Sequence, residues 1–315
     1  MKMRSQLVEY INSTLIDKGY RVSKCEGFHS CFDIVAKKGE VILLIKVFIN
    51  IEALNRRVAI ELKKIAIMID AKPIVVGVKA KNAYLRDDTL YLRYGIVVVS
   101  PRTFERMMDG EFPLIYTVRG NYCVHISPEV LVNLRKKMGL SQRKLAEKVG
   151  VSKQSIYRYE SSGRISLEIA NKIFEILESD LTREENVFSY IKRVEKCIRI
   201  EDLREHEGEK LSILKRVVMK RLNEMGFFTI STRAPFDLIS KEISNEEKVL
   251  SIVSNDIRHI KQKIVISKSI TEMTNSYGVC ITERNTKFEV PTLKPKDLKH
   301  IKCAKEFIEL ISENT

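Results

Sequence analysis

The sequence predicts an α/β plus all-α protein, with a central group of short helices set between two related α/β domains. Three observations carry this expectation. Strand-like runs alternate with amphipathic stretches through residues 6–108. The same order of segments returns in the last third of the chain. Between the two lies a stretch punctuated by helix caps and turn glycines instead of strands.

The first domain is assigned to residues 1–126. Gln6 to Asp17 is apolar at Leu7, Val8, Ile11, Leu15 and Ile16, a helical spacing stopped by Gly19. Strands are expected over Cys31 to Ala36 and, after the Lys38-Gly39 turn signal, over Val41 to Ile49. A second helix covers Leu54 to Ile69. A strand follows at Pro73 to Val78, then a polar loop to Asp88, a short strand from Gly95 to Ser100, and a helix from Thr103 to Met108. Tyr116 to Val118 and Tyr122 to Ile126 flank Arg119-Gly120-Asn121 and read as a hairpin.

Residues 127–182 form the helical domain. Ser127-Pro128-Glu129 combines a capping hydroxyl, a first-turn proline and an early acid, and this first helix ends at Gly139. Ser141 caps a second helix, Gln142 to Val149, stopped by Gly150. Ser152 caps a third, running to about Glu160, and a fourth spans Ser166 to Glu178. Residues 183–210 are charged and read as a connecting segment with some helix.

The last domain, 211–315, repeats the first. Leu211 to Met225 is a helix ended by Gly226, as Gly19 ends the first helix. Ala234 to Ser240, containing Asp237, lines up with Ser30 to Ala36, containing Asp33. Val249 to Val253 is matched to Ile42 to Lys46, and Leu293 to Leu298 to Val99 to Phe104. The preserved order indicates a diverged duplication.

Charge narrows the function. The 315 residues carry 55 Lys plus Arg against 41 Asp plus Glu, a net +14 with a pI near 9.4, which points to a polyanionic partner. No apolar run approaches the ~20 residues that span a bilayer. The basic start, Met1, Lys2 and Arg4, meets Glu9 too soon for a signal peptide, so a soluble cytoplasmic protein without membrane contact is expected. The six cysteines include no C-x-x-C pair and are expected to be reduced thiols. No glycine-rich phosphate loop or Ser/His/Asp constellation is evident, and no cofactor is expected. Cys25, His29 and Cys31 share a loop but lack a fourth zinc ligand, so no metal is assigned.

In Gln142 to Ser161 the informative feature is spacing. Ala146 is small where two helices cross, Gly150 fits a positive-φ turn, and Leu145, Val149, Val151, Ile156 and Tyr159 supply the contacts that set the interhelical angle. With Leu140-Ser141-Gln142-Arg143-Lys144-Leu145-Ala146 and Val149-Gly150-Val151-Ser152, the segment resembles the Cro and lambda-repressor-type helix-turn-helix family. Nine basic residues stand against three acids between Glu129 and Arg164. Lys137 and Lys148 are equally well read as solvated surface.

The resemblance and geometry together assign roles. Gln142, at a helix amino terminus, is placed to bond a phosphate, with Arg135 and Arg143 as phosphate neighbours. Lys153, Gln154, Ser155 and Arg158, on the helix capped by Ser152, occupy positions that read bases in related repressors. Gln can grip adenine and Arg guanine by paired hydrogen bonds. Tyr157 has two roles open to it, packing on the DNA backbone or covering the surface.

Glu9 on a helix, Asp33 on a strand and Lys46 on the next strand resemble the PD-(D/E)xK nuclease superfamily, particularly archaeal Holliday-junction resolvases. Such chemistry implies a second carboxylate two positions before the lysine, where this sequence has Leu44. In the last domain the corresponding positions read Ser251 and Val253 beside Asp237. Glu52 or Glu61 could substitute from the next helix, but inactive nuclease-like domains are the expectation. Arg119-Gly120-Asn121-Tyr122 and Arg233-Ala234-Pro235-Phe236-Asp237 complete a resemblance to archaeal helix-turn-helix transcriptional regulators over nearly the whole chain. It implies a non-enzymatic, sequence-specific binder of double-stranded DNA that acts on transcription as a homodimer. The alternative is a metal-dependent endonuclease targeted by the same helices.

Overall fold

The computed structural model describes residues 2–27, 30–118, 120–183, 187, 211–286 and 288–313. The connecting segment expected at 183–210 lies outside the described residues apart from Arg183 and Val187, as do His29 and Arg119. The chain divides into two compact units. One contains Met1–Phe48, Ala53–Val75 and Arg193–Thr315, the other Ile49–Glu52 and Val76–Lys192.

Helix α1 (Lys2–Asp17) is followed at Gly19 by a positive-φ turn into β1 (Arg21–Lys24). Strands β2 (Ile34–Lys38) and β3 (Val41–Asn50) form a hairpin turned at Gly39. Helix α2 (Arg56–Met68) starts where the Asn55 side chain accepts from the Val58 N–H, two residues inside the expected bound, and β4 (Lys72–Ala80) follows. Next come β5 (Ala83–Tyr84), β6 (Thr89–Arg93), β7 (Ile96–Val99), α3 (Pro101–Met108), β8 (Ile115–Val118) and β9 (Asn121–His125). The helical segment holds α4 (Pro128–Lys137), α5 (Gln142–Val149), α6 (Lys153–Ser162), the short strand β10 (Arg164–Ser166) and α7 (Leu167–Leu177). The last third holds α8 (Ile213–Glu224), β11 (Phe227–Ser231), β12 (Leu238–Glu242), β13 (Lys248–Val253), α9 (Ile257–Thr274), β14 (Tyr277–Ile281), β15 (Thr292–Leu293) and α10 (Ala304–Ser312).

In the first unit the two halves repeat one strand order. β1, β2 and β3 pair antiparallel, with β4 beside β3. β11, β12 and β13 also pair antiparallel, and β14 lies parallel beside β13. Hydrogen bonding fixes the correspondence between the halves. The Asp33 N–H donates to the Ile45 carbonyl and the Asp237 N–H to the Ser251 carbonyl, both at 2.8 Å. Each carboxylate then accepts from a valine N–H, Val47 at 2.8 Å and Val253 at 2.9 Å. Ser251 therefore corresponds to Ile45, not Leu44. The expected match of Val249 to Val253 with Ile42 to Lys46 is out of register by one residue. The true counterparts of Leu44 and Lys46 are Leu250 and Ile252.

The halves also pack on each other reciprocally. Helix α9 lies against β1 and β2, and α2 lies against β12. The Cys31 N–H donates to the Arg233 carbonyl at 2.9 Å, and the Phe32 and Phe236 rings sit 6.4 Å apart. Arg21 pairs with Glu272, and Lys248 with Asp70 at 2.5 Å. Behind β11 to β14, Val218, Leu222, Phe227, Leu238, Val249 and Phe307 close an apolar core.

In the second unit the helices are not a separate bead. β10 pairs antiparallel with β9, which pairs with β8, and Val124 and Ile126 enter the same core as Leu131, Leu145, Ile156 and Ile173. Residue 126 is thus no boundary in this unit, because the strand inserted after α6 recruits the preceding hairpin.

Candidate nucleic-acid interface

Three serines start three helices. The hydroxyl of Ser127 accepts from the Val130 N–H at 3.4 Å, that of Ser141 from Lys144 at 3.1 Å, and that of Ser152 from Ser155 at 3.1 Å. Each satisfies a donor that a helix terminus leaves unpaired. Gly150 closes α5 at φ +79°, and its N–H and that of Val151 both return to the Ala146 carbonyl. Leu145, Ala146, Val149 and Ile156 are buried at the crossing of α5 and α6. That packing fixes the direction in which α6 presents its outer face.

On that face Lys153, Gln154, Tyr157 and Arg158 are exposed. Lys153 and Gln154 make no hydrogen bond or ion pair among the described residues. Tyr157 is 60% exposed, so its ring covers little of the module. The Arg158 guanidinium donates to the Ser155 hydroxyl at 3.2 Å, which is itself 2.9 Å from the Ser152 hydroxyl. Ser152 and Ser155 thus serve the cap and steady Arg158.

Two expected phosphate contacts are placed elsewhere. Arg135 is buried. Its guanidinium donates to both Glu160 carboxylate oxygens, at 2.5 and 3.2 Å, and to the Leu140 carbonyl at 2.8 Å. It is therefore an internal cation joining α4 to α6, and not a surface group beside a phosphate. The Gln142 side-chain amide donates to the same Glu160 carboxylate at 2.6 Å, so this nitrogen is spent inside the module. Its position at the amino terminus of α5 still leaves backbone N–H groups facing outward. Arg143 is exposed as expected, but shares its charge with Glu147 at 3.0 Å. A count of charges treats Arg135 and Arg143 alike, and only the partner, buried Glu160 or exposed Glu147, separates them.

The far end of α6 is clamped. Gly163, at φ +66°, accepts from the Ile126 N–H at 2.8 Å, and a Cβ there would lie 2.4 Å from the Ile126 carbonyl oxygen. The Ser127 N–H donates to the Leu181 carbonyl, and Arg183 to that of His125. Both ends of the helical segment are thereby tied to β9.

In the first unit Asp33 is held by cations. Its Oδ1 lies 2.6 Å from the Arg4 guanidinium and 3.1 Å from the Lys46 ammonium. Lys46 also donates to the Ser30 carbonyl at 2.7 Å. In the other half, Asp237 meets Lys215 at 2.6 Å and Lys263 at 2.7 Å. The strand position facing each pair carries Leu44 or Leu250, so no second carboxylate joins either aspartate there. Glu9 binds Lys24 at 2.8 Å, and Glu52 forks onto Arg93 at 3.0 and 2.8 Å. Neither completes a carboxylate pair with Asp33. Cys25 and Cys31 are buried thiols. Desolvation raises both, Cys31 to about 12.

Residues 4–113 match the family described as PD-(D/E)XK superfamily domain, and residues 131–183 match the helix-turn-helix family. A Methanocaldococcus jannaschii protein is 33% identical over 99% of this chain and 97% of its own length. A Pyrococcus horikoshii protein is 32% identical over 98% of both chains. A Methanothermobacter thermautotrophicus protein is 32% identical over 98% of this chain and 96% of its own. All three are provisionally named HTH-type transcriptional regulatory proteins.

Proposed function

Because the chain belongs to this archaeal family of HTH-type transcriptional regulatory proteins, we propose that it binds double-stranded DNA sequence-specifically and regulates transcription without catalysis. The observation that carries this reading is α6. It is capped at Ser152, fixed by a buried crossing, and bears Lys153, Gln154 and Arg158 outward. An α-helix so presented fits the major groove. There Gln154 can bond the paired edge groups of adenine and Arg158 those of guanine, each worth about 1–3 kcal/mol of discrimination. The amino terminus of α5 and Arg143 dock on phosphates, setting orientation without reading sequence. One such helix reads a half-site, and a homodimer supplies the second.

The paired α/β halves are read as a duplicated nuclease-like scaffold. Their shared strand order and their matching cation-held aspartates support this. Arg4 and Lys46 both engage Asp33 Oδ1, and Leu44 stands at the strand position where the nuclease resemblance implies a second carboxylate. Purified full-length protein should therefore leave supercoiled and branched DNA intact in magnesium or manganese. Cleavage abolished by Asp33→Ala would establish the endonuclease reading instead.

The direct test is selection of bound duplexes from a random pool, followed by footprinting at modest ionic strength. A defined protected sequence is expected. The absence of any protected stretch would overturn the reading.

A further inference from the structure

Among the described residues, one cationic surface of the second unit is unrelated to the helices. β4 and β5 form a tight hairpin with Ala80 opposite Ala83 and Lys79 opposite Tyr84, turned at Lys81-Asn82 with Lys81 at φ +52°. The Leu85 N–H continues the ladder to the Val78 carbonyl at 2.9 Å, so Leu85 faces inward and is buried. By the two-residue period of a strand, Tyr84 and Arg86 then share the outer face with Lys79. Tyr84 is 79% exposed.

Arg86 is held in place on this face. Its N–H donates to the Tyr91 hydroxyl at 3.0 Å, and its guanidinium lies 5.1 Å from the centroid of the Tyr122 ring. A guanidinium stacked on a ring keeps its N–H edge available to an anion.

The charge balance around the hairpin is uneven. Asp87 accepts from the Ser100 hydroxyl at 2.5 Å and faces Arg102 at 3.8 Å. Asp88 pairs with Arg106 at 2.5 Å. The nearby acids are thus occupied by their own partners. Lys79, Lys81 and Arg86 form no ion pair among the described residues, and residues 76–86 contain no acid. A solvated basic surface would have no need for an immobilised guanidinium beside an exposed tyrosine. Lysines at a hairpin tip, a fixed Arg and an aromatic ring are complementary to a phosphate–sugar backbone.

We propose that the β4–β5 hairpin is a second DNA-contacting element, in which Lys79, Lys81 and Arg86 bind backbone phosphates of duplex flanking the site read by α6 and Tyr84 packs on the sugar edge. This rests on the helix-turn-helix reading and adds to it a contact that gives affinity without sequence preference.

The experiment uses the full chain and a selected site presented in two duplexes, one holding the core site alone and one extended on both sides. Replacing Lys79, Lys81 and Arg86 together by Gln should weaken binding to the extended duplex and lower its salt slope by about 0.9 per contact, near 2.7 in all. Core-duplex affinity, sequence preference and melting temperature should stay unchanged. Tyr84→Ala should weaken extended-duplex binding severalfold with the slope retained. Equal salt slopes for wild type and the triple variant would overturn the proposal while leaving the α6 reading intact. So would tighter wild-type binding to single strands than to duplex, or altered self-association as the only effect. Failure of the wild type to bind any duplex would overturn both readings.

Discussion

Arg135 and Glu160 join α4 to α6 through two hydrogen bonds, with side chains 9% and 6% exposed. The pair sits in the module that presents the reading helix, with Gln142 on the same carboxylate. Removing one partner leaves the other charge buried and unpaired, which costs about 3–5 kcal/mol. Arg135→Ala should lower the unfolding free energy by that amount, read from urea denaturation as a lower midpoint at unchanged slope. At temperatures where the variant stays folded, its DNA salt slope should equal that of the wild type. A slope reduced by about 1 would instead make Arg135 a phosphate contact.

Reading and docking roles separate by a different measurement. Gln154→Ala and Arg158→Ala should relax base preference at single positions of the selected site, each by about 1–3 kcal/mol. Arg143→Ala should weaken binding to all sequences alike. Its salt slope should fall by less than the full unit of an unshared cation, because Glu147 already takes part of its charge. Uniform weakening by all three variants would remove the distinction.

Two turn glycines give a graded stability test. At Gly150 a methyl group meets nothing within 4 Å, so Gly150→Ala costs only the left-handed backbone strain, about 1–2 kcal/mol. At Gly163 the same strain is joined by a 2.4 Å clash with the Ile126 carbonyl oxygen, a backbone atom that cannot swing aside. Gly163→Ala should be clearly the more destabilising of the two in chemical denaturation. Equal losses would mean that the strand anchor is loose.

Alkaline stability should follow the thiols. Burial raises Cys31 and Cys280 to about 12, against about 8.5 for an unfolded thiol. A raised folded value means that the folded chain holds these protons more tightly. Their contribution is complete below about 8.5 and is lost as pH rises from there through 12. At pH 8 an alkylating reagent should modify exposed Cys303 in the native protein, and should reach Cys25, Cys31 and Cys280 only on unfolding. Mapping by mass spectrometry reads this directly. Rapid native labelling of Cys31 would contradict its burial.

The helix starts and the turn between α5 and α6 were legible because local chemistry sets them. Ser127, Ser141 and Ser152 act as caps and Gly150 as a turn, with no distant partner needed. Strands β1, β6, β10 and β11 escaped for the opposite reason. Each is short, and β1 and β10 carry polar residues that become strand only through pairing with β2 and β9. The repeat was visible through Asp33 and Asp237, but its register slipped by one between β3 and β13. Runs of Val, Leu and Ile look alike in either frame, and only the Val47 and Val253 N–H groups on the two carboxylates decide between them. Charge signs exposed the basic surface but concealed that Arg135 faces inward.

The clasp between β9 and β10 has a practical corollary for dissecting the gene. A fragment trimmed to begin at Ser127 would discard Val124 and Ile126 from the helices' own core and strand Arg164 to Ser166 without a neighbour. A fragment opening ahead of Ile115 would keep the β8–β9 ribbon on which the helices are mounted. The helices share one core with the ribbon before them, so the packed module is longer than the bare motif its sequence advertises.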